Sequence, residues 1–294
     1  MKYVIGTMRP RFLILAVVCA FLGMAAAIWT EGSINPWHAV LAFIGAVAAH
    51  GSVNAINEYL DFKSGLDFQT NRTPFSGGSG TLIQDVTKAP VVLWTAIITA
   101  LVTVIIGVYF ALTVGWYILP LGLIGLVVIF TYTQWFNIKP LLCLVAPGFG
   151  FGTLMVLGTY YVLAGRFSWA AALASFVPFF LVSNLLLLNQ FPDVDADKTV
   201  QRRHFPIVLG RKKSAVIFTA FTIATYLTII LGVVIRLTPV WTLLGLLTIV
   251  IAVPTITGTL KNADDIPALI PSILNNVLLN LITPALMGIG FLIG

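Results

Sequence analysis

Apolar runs of about 20 residues succeed one another along almost the whole chain, and that is the length an α-helix needs to cross the hydrocarbon core of a bilayer. They lie at about 12–29, 38–60, 89–112, 116–134, 143–164, 168–191, 213–235, 239–258 and 267–292. Within lipid every backbone N–H and C=O must find its partner inside its own segment, so such runs become helices. Composition agrees: 59% of residues are hydrophobic and 9% charged, against roughly 25% charged in a soluble domain. The expected fold is all-α, a polytopic membrane protein of nine transmembrane helices in one domain over 1–294.

The formal charge of +6 could indicate a nucleic-acid partner, but the cations sit in short segments between apolar runs, not in a patch with interleaved aromatics. No nucleic acid is expected. The positive-inside rule accounts for them instead. With the N-terminus inside, the polar segments 61–88, 135–142, 192–212 and 259–266 are cytoplasmic, and only Arg166 and Arg236 lie outside. The expected location is the plasma membrane, with lipids as partners and with Arg211, Lys212 and Lys213 at the headgroups. The first run follows Lys2, Arg9 and Arg11 but is longer than the apolar core of a secretion signal, so it reads as a retained helix. Cys19 and Cys143 lack CxxC spacing and read as packing residues. The alternation of Gly148, Gly150 and Gly152 reads as close helix packing before it reads as space for a bound chain.

The chemistry concentrates at two helix ends. The first is HGSVNAINEYLDFKSGLD, residues 50–67. Asn54, Asn57 and Asp61 are spaced by three and four, hence one helix face, and Asp67 follows a break at Gly65. Glu58 points elsewhere and reads as peripheral. The second is NLLLLNQFPDVDADK, residues 184–198. Asn189, Asp193 and Asp197 share a face if the helix continues through Pro192, with Asp195 off that face as a spare ligand or a base. Polar groups this close to lipid imply partners. Several carboxylates cannot stay near one another without a counter-charge. A divalent ion with oxygen ligands supplies it, and two such clusters face to face would hold a diphosphate between metals. Lys63 and Arg72 follow the first cluster, Lys198, Arg202 and Arg203 the second, and Lys139 is alone in its loop. Each is either a phosphate ligand or a membrane-edge anchor. His204 reads as a loop histidine and His50 as a satisfied buried group.

At these residues the chain resembles the UbiA superfamily of intramembrane prenyltransferases. Asn57, Asp61 and Asp67 look like the family's first motif, and NQFPDVDADK, 189–198, like its second Asp motif. NRTPFSG, 71–77, is similar to the family's loop after the first motif, with the proline displaced and Thr73 in its place. YTQWFNIK, 132–139, looks like its Tyr-to-Lys segment. NEYLDFKSGLD, LGTYYVLAG at 157–165 and VLG at 208–210 resemble the menaquinone (dihydroxynaphthoate polyprenyltransferase) branch. That branch carries an acid after the Tyr-to-Lys segment, where this chain has Pro147 and Gly148.

The resemblance implies a helical bundle around a central cavity open to the cytoplasmic face and sideways to lipid. It implies two Mg²⁺ ions bridging the diphosphate of an isoprenyl donor, held by Asn57, Asp61 and Asp67 and by Asn189, Asp193 and Asp197. The prenyl group would pass to a small aromatic or other acceptor, with Asn54, Lys63, Arg72, Tyr132, Lys139, Tyr160, Lys198 and Arg202 contacting substrates. Asp61, Asp193 and Lys139 would act in catalysis, with Asp195 as base; Tyr132, Trp135, Tyr160 or Tyr161 would face the allylic cation. The GGSG stretch, 77–80, is either a lid or a plain flexible turn. Within the fold, a glycerol-phosphate-type acceptor or cyclisation of the isoprenoid are alternatives. A cation-coupled transporter is the rival of another class, disfavoured because its polar groups belong near the midplane.

Overall fold

A computed structural model describes residues 2–70 and 77–294 of the chain. A short helix, Lys2–Met8, leads into nine longer ones: α1 (Pro10–Glu31), α2 (Pro36–Lys63), α3 (Ala89–Thr113), α4 (Ile118–Thr131), α5 (Pro140–Ala164), α6 (Trp169–Thr199), α7 (Arg211–Val234), α8 (Val240–Lys261) and α9 (Ile266–Ile293). No strand occurs among the described residues. Eight of the nine are long and apolar enough to cross a membrane. The exception is α4, whose 14 residues span about 21 Å, short of the roughly 30 Å hydrocarbon core. The expected run 116–134 is therefore helical only in its middle, with turns at Trp116–Tyr117 and after Thr131.

Helix starts follow local chemistry. Pro10, Pro36 and Pro140 open α1, α2 and α5, where a missing N–H costs nothing. Asn35 caps α2 by accepting from Trp37 N at 2.9 Å, and Asp265 caps α9 by accepting from Ala268 N at 3.1 Å. Several helices overrun their expected ends. Most consequential is α6, which continues through Pro192 to Thr199, so the loop expected at 192–212 begins only after it.

In lipid the helices gain little from hydrophobic exclusion and depend on close approach and buried hydrogen bonds. α1 is interior, with Ala16, Cys19, Ala20, Leu22 and Ala25–Ala27 fully buried. Asn184 of α6 donates to Phe218 O of α7 at 2.8 Å, and Asn276 of α9 donates to Asn184 O at 3.2 Å. Gly148 and Gly152 lie so close to Phe179 of α6 that a Cβ on either would strike its backbone. Gly150 turns instead toward a cavity. The alternating glycines thus serve both expected uses, packing on one face and space on the other. α5 accommodates this with Pro147 and a π-helical stretch, Phe149–Val156, a distortion often found beside functional sites.

That cavity, of about 410 Å³, is bounded by residues of α1 to α6. One end holds Asp61, Asp67, Asp193, Asp197 and Arg202; the other reaches Ala42, Phe110, Ile118 and Val162. Ala42 and Asp61 are about 28 Å apart along the axis of α2. The cavity is thus a long channel with a charged mouth, and α4, which buries only Ile129, forms a thin part of its wall.

Candidate active site

The mouth is built from two helix ends. α2 presents positions 50, 54, 57 and 61 on one face and stops at Lys63. Gly65, at φ 79°, takes the left-handed turn that a side chain resists, and a short 3₁₀ segment, Leu66–Phe68, brings Asp67 back to the cavity. On α6 the unbroken helix sets Asn189, Asp193 and Asp197 on the cavity face. The chain then turns at Gln201, φ 61°, and returns Arg202 over the helix end.

Arg202 joins the two ends. Its Nη1 donates to Asp197 Oδ1 at 2.9 Å and its Nη2 to Asp61 Oδ1. His204 Nε2 lies 2.8 Å from the other oxygen of Asp197. Burial works against the charge on Arg202, but Asp61 and then Asp197 outweigh it, so its pKa rises above the ordinary arginine value. Tyr132 also lines the cavity; burial, and after it Cys143, push its phenol up, which keeps it a neutral hydroxyl.

The donor set fits a hard divalent cation. Asp61, Asp67, Asp193, Asp197, Asn57 and Asn189 line one cavity and offer only oxygen. Asn189 Oδ1 is buried with no hydrogen-bond partner among the described residues. Among those residues no three acidic, histidine or cysteine side chains are gathered closely enough to hold an ion as they stand. The positive charge between Asp61 and Asp197 is the Arg202 guanidinium, which would have to release a carboxylate oxygen for a metal to bind it.

Several groups at the mouth carried no sequence signal, or were misread. Glu58 is not peripheral: it is fully buried, paired with Arg9 at 3.1 Å and bonded by Ser79 N at 2.8 Å and Ser79 Oγ at 2.6 Å. The GGSG stretch is therefore anchored, with Gly78 (φ 75°) so near Asp67 that a Cβ would lie 2.9 Å from its Oδ1. Cys143 does more than pack: its thiol donates to Asn137 Oδ1 at 3.2 Å and accepts from Gln190 Nε2 at 3.1 Å. His204 is 1% exposed and belongs to the site, unlike a loop histidine.

Other expected residues do not reach the cavity. Asp195, about 200° around α6 from Asp193, is 84% exposed and pairs with Lys198 at 3.4 Å. Lys63 is exposed and lies over the Tyr59 ring at 5.6 Å. Lys139 and Arg203 are exposed, and Trp135 is 66% exposed. Tyr160 is fully buried toward α1, where its hydroxyl meets Thr30 Oγ1 at 2.8 Å and Glu31 Oε1 at 3.4 Å, and it is absent from the cavity wall that carries the aspartates. Tyr161 packs on Phe167 and is absent from the cavity wall. Asn54 does line the cavity, and its amide donates to Met8 O at 2.9 Å. Arg72, and all of 71–77 except Gly77, lie outside the described residues.

Comparisons with known proteins bear on this geometry. The model of the UbiA prenyltransferase family matches residues 16–266. A relative named 1,4-dihydroxy-2-naphthoate octaprenyltransferase, from Bacillus subtilis (strain 168), is 24% identical over 217 residues, which cover 72% of this chain and 67% of that one. The apo structure of a UbiA homolog from Aeropyrum pernix K1 aligns over 97% of this chain and 98% of its own, with TM-score 0.74 and 18% identity. The structure of a UbiA homolog from Archaeoglobus fulgidus bound to GPP and Mg²⁺ aligns over 100% of both chains, with TM-score 0.58 and 15% identity. At those identities the structures establish the fold.

Proposed function

As a member of the UbiA prenyltransferase family, this chain is a prenyltransferase, and we propose that it moves a polyprenyl group from an isoprenyl diphosphate to a small aromatic acceptor, releasing diphosphate in a Mg²⁺-dependent reaction. The observation that carries this reading is the Arg202 bridge, by which two acid-bearing helix ends meet at the mouth of one apolar channel. The expectation depended on that meeting. The B. subtilis relative's name supplies an aromatic naphthoate acceptor, and the A. fulgidus homolog binds GPP and Mg²⁺.

Asn57, Asp61 and Asp67 would hold one Mg²⁺, and Asn189, Asp193 and Asp197 a second. Bound there, Mg²⁺ supplies positive charge against the oxygen that becomes negative as the allylic C–O bond breaks. Arg202 is the residue placed to add to that charge: freed from one carboxylate, its planar fork suits phosphate oxygens. Tyr132 presents a neutral aromatic ring and hydroxyl to the same mouth. Below, the wall of Val53, Ile106, Leu126 and Leu154 takes the hydrocarbon tail, each buried CH₂ contributing about 0.8 kcal/mol. The Arg9–Glu58–Ser79 linkage holds residues 77–80 against the mouth and excludes water that would otherwise capture the cation. By the positive-inside rule this mouth faces the cytoplasm of the plasma membrane.

The test is diphosphate release and product formation by purified protein given geranyl diphosphate, 1,4-dihydroxy-2-naphthoate and Mg²⁺. Release should stop on chelation. Asp61→Ala and Asp193→Ala should each lower it by about 10²–10³-fold while the protein still unfolds cooperatively. Near-normal turnover in either variant refutes that metal assignment. Product made only on a glycerol-phosphate acceptor, or without acceptor carbon, refutes the aromatic acceptor. Solute flux with no turnover refutes the enzyme.

A further inference from the structure

Below its mouth the channel is lined almost wholly by apolar side chains, with Thr103, Thr159 and His50 as polar exceptions. The Thr103 hydroxyl is already bonded to Thr99 O at 3.0 Å. His50 differs. It is 5% exposed, lines the channel, and its Nδ1 is buried with no hydrogen-bond partner among the described residues. Its ring stands edge-on to Phe151, centroids 4.6 Å apart at 78°.

Depth decides what this imidazole can meet. His50 shares a face of α2 with Asn54, Asn57 and Asp61 and lies about 16 Å below Asp61 along the helix axis. That is too far for contact with a metal or a diphosphate held by the carboxylates. The isoprenoid tail passes this level but offers no donor or acceptor. A channel that held only hydrocarbon here would leave the imidazole's hydrogen-bonding groups unanswered, which a buried polar side chain resists. The remaining reactant is the acceptor, whose polar substituents need a partner in an otherwise apolar space.

We propose that His50, with Phe151 packed against it, forms the acceptor subsite and hydrogen-bonds a hydroxyl or carbonyl on the ring system. This rests on the prenyl-transfer reading of the same cavity. Phe151 offers a surface for the planar ring, and the His50 imidazole fixes its orientation so that a ring carbon points up toward the allylic carbon. His50 is a binding and positioning group here; no proton leaves the acceptor through it.

The experiment compares His50→Leu and His50→Gln with the parent protein, using geranyl diphosphate and 1,4-dihydroxy-2-naphthoate. His50→Leu should raise KM for the naphthoate about tenfold, the effect of one net hydrogen bond, and leave KM for geranyl diphosphate within about twofold. His50→Gln, which keeps a donor and an acceptor, should recover most of the loss. On the parent, naphthoates lacking one hydroxyl should bind more weakly; on His50→Leu that discrimination should vanish. Unfolding midpoints show that each variant is folded, and if His50→Leu is not, His50→Ala takes its place with the same expectations. In His50→Leu, an unchanged naphthoate KM, an intact hydroxyl preference, or a rise in donor KM instead would each overturn the proposal. Failure of the underlying function looks different: the parent would then give no prenylated product at all.

Discussion

The two acidic helix ends carry the same residue types and are held in opposite ways. The end of α6 supplies its own partners: Asp197 is met by Arg202 and His204 from the turn that follows it. The end of α2 is assembled from afar: beside Asp61 and Asp67, Glu58 is met by Arg9 from the start of α1 and by Ser79 from the next loop. One cluster is fixed by local chain geometry, the other only once the bundle has formed. The link between them, Arg202 to Asp61, belongs to the second kind, because it joins residues 141 apart in sequence.

The largest effect should come from cutting that link. Arg202→Gln leaves Asp61 and Asp197 without the buried charge between them, and breaking a buried ion pair from one side costs about 3–5 kcal/mol. The unfolding midpoint should fall sharply in chelator. Mg²⁺ with geranyl diphosphate should restore much of it, since divalent charge then fills the gap, while turnover stays about 10²-fold down. If the midpoint in chelator is unchanged, the guanidinium is not what holds the two ends together.

A smaller effect should come at the assembled end. Glu58→Gln removes the charge that pairs Arg9 but keeps oxygen and size, so the Ser79 bonds survive in part. A loss of about 1–3 kcal/mol is expected, with faster proteolysis at 77–80 as the Ser79 anchor weakens. Turnover should drop about tenfold. If Glu58→Gln proves as damaging as Arg202→Gln, the two clusters are one cooperative unit and the contrast between a local and an assembled end fails.

Legibility in the sequence divides along the same line. Helix faces are periodic, so Asn54, Asn57 and Asp61, and Asn189, Asp193 and Asp197, were legible from spacing alone. The apolar runs gave the crossings, apart from the shortness of α4, because hydropathy does not see where a turn trims a helix. Glu58 and Arg9 were not legible. Their pairing spans 49 residues and a helix junction, and no spacing rule reaches that far. His50 was misjudged for the opposite reason: a buried histidine is usually satisfied, and only the channel beside it shows that this one is not. Tyr160 was expected from the family-like segment LGTYYVLAG, and such a likeness carries no orientation: the structure buries its ring and turns its hydroxyl to Thr30 of α1.

The smallest effect should be at Asp195. Spacing left it open as a ligand or base, but the unbroken helix through Pro192 turns it to solvent, paired with an exposed Lys198. Exposed pairs of this kind contribute little to stability, and a carboxylate outside the channel can neither hold a metal there nor take a proton from an acceptor. Asp195→Ala should therefore keep turnover, both KM values and the unfolding midpoint, each within about twofold or its equivalent. A tenfold loss would mean that α6 opens at Pro192 during turnover and swings Asp195 inward. The self-contained cluster would then be the mobile one, and the assembled cluster on α2 the fixed frame against which it moves.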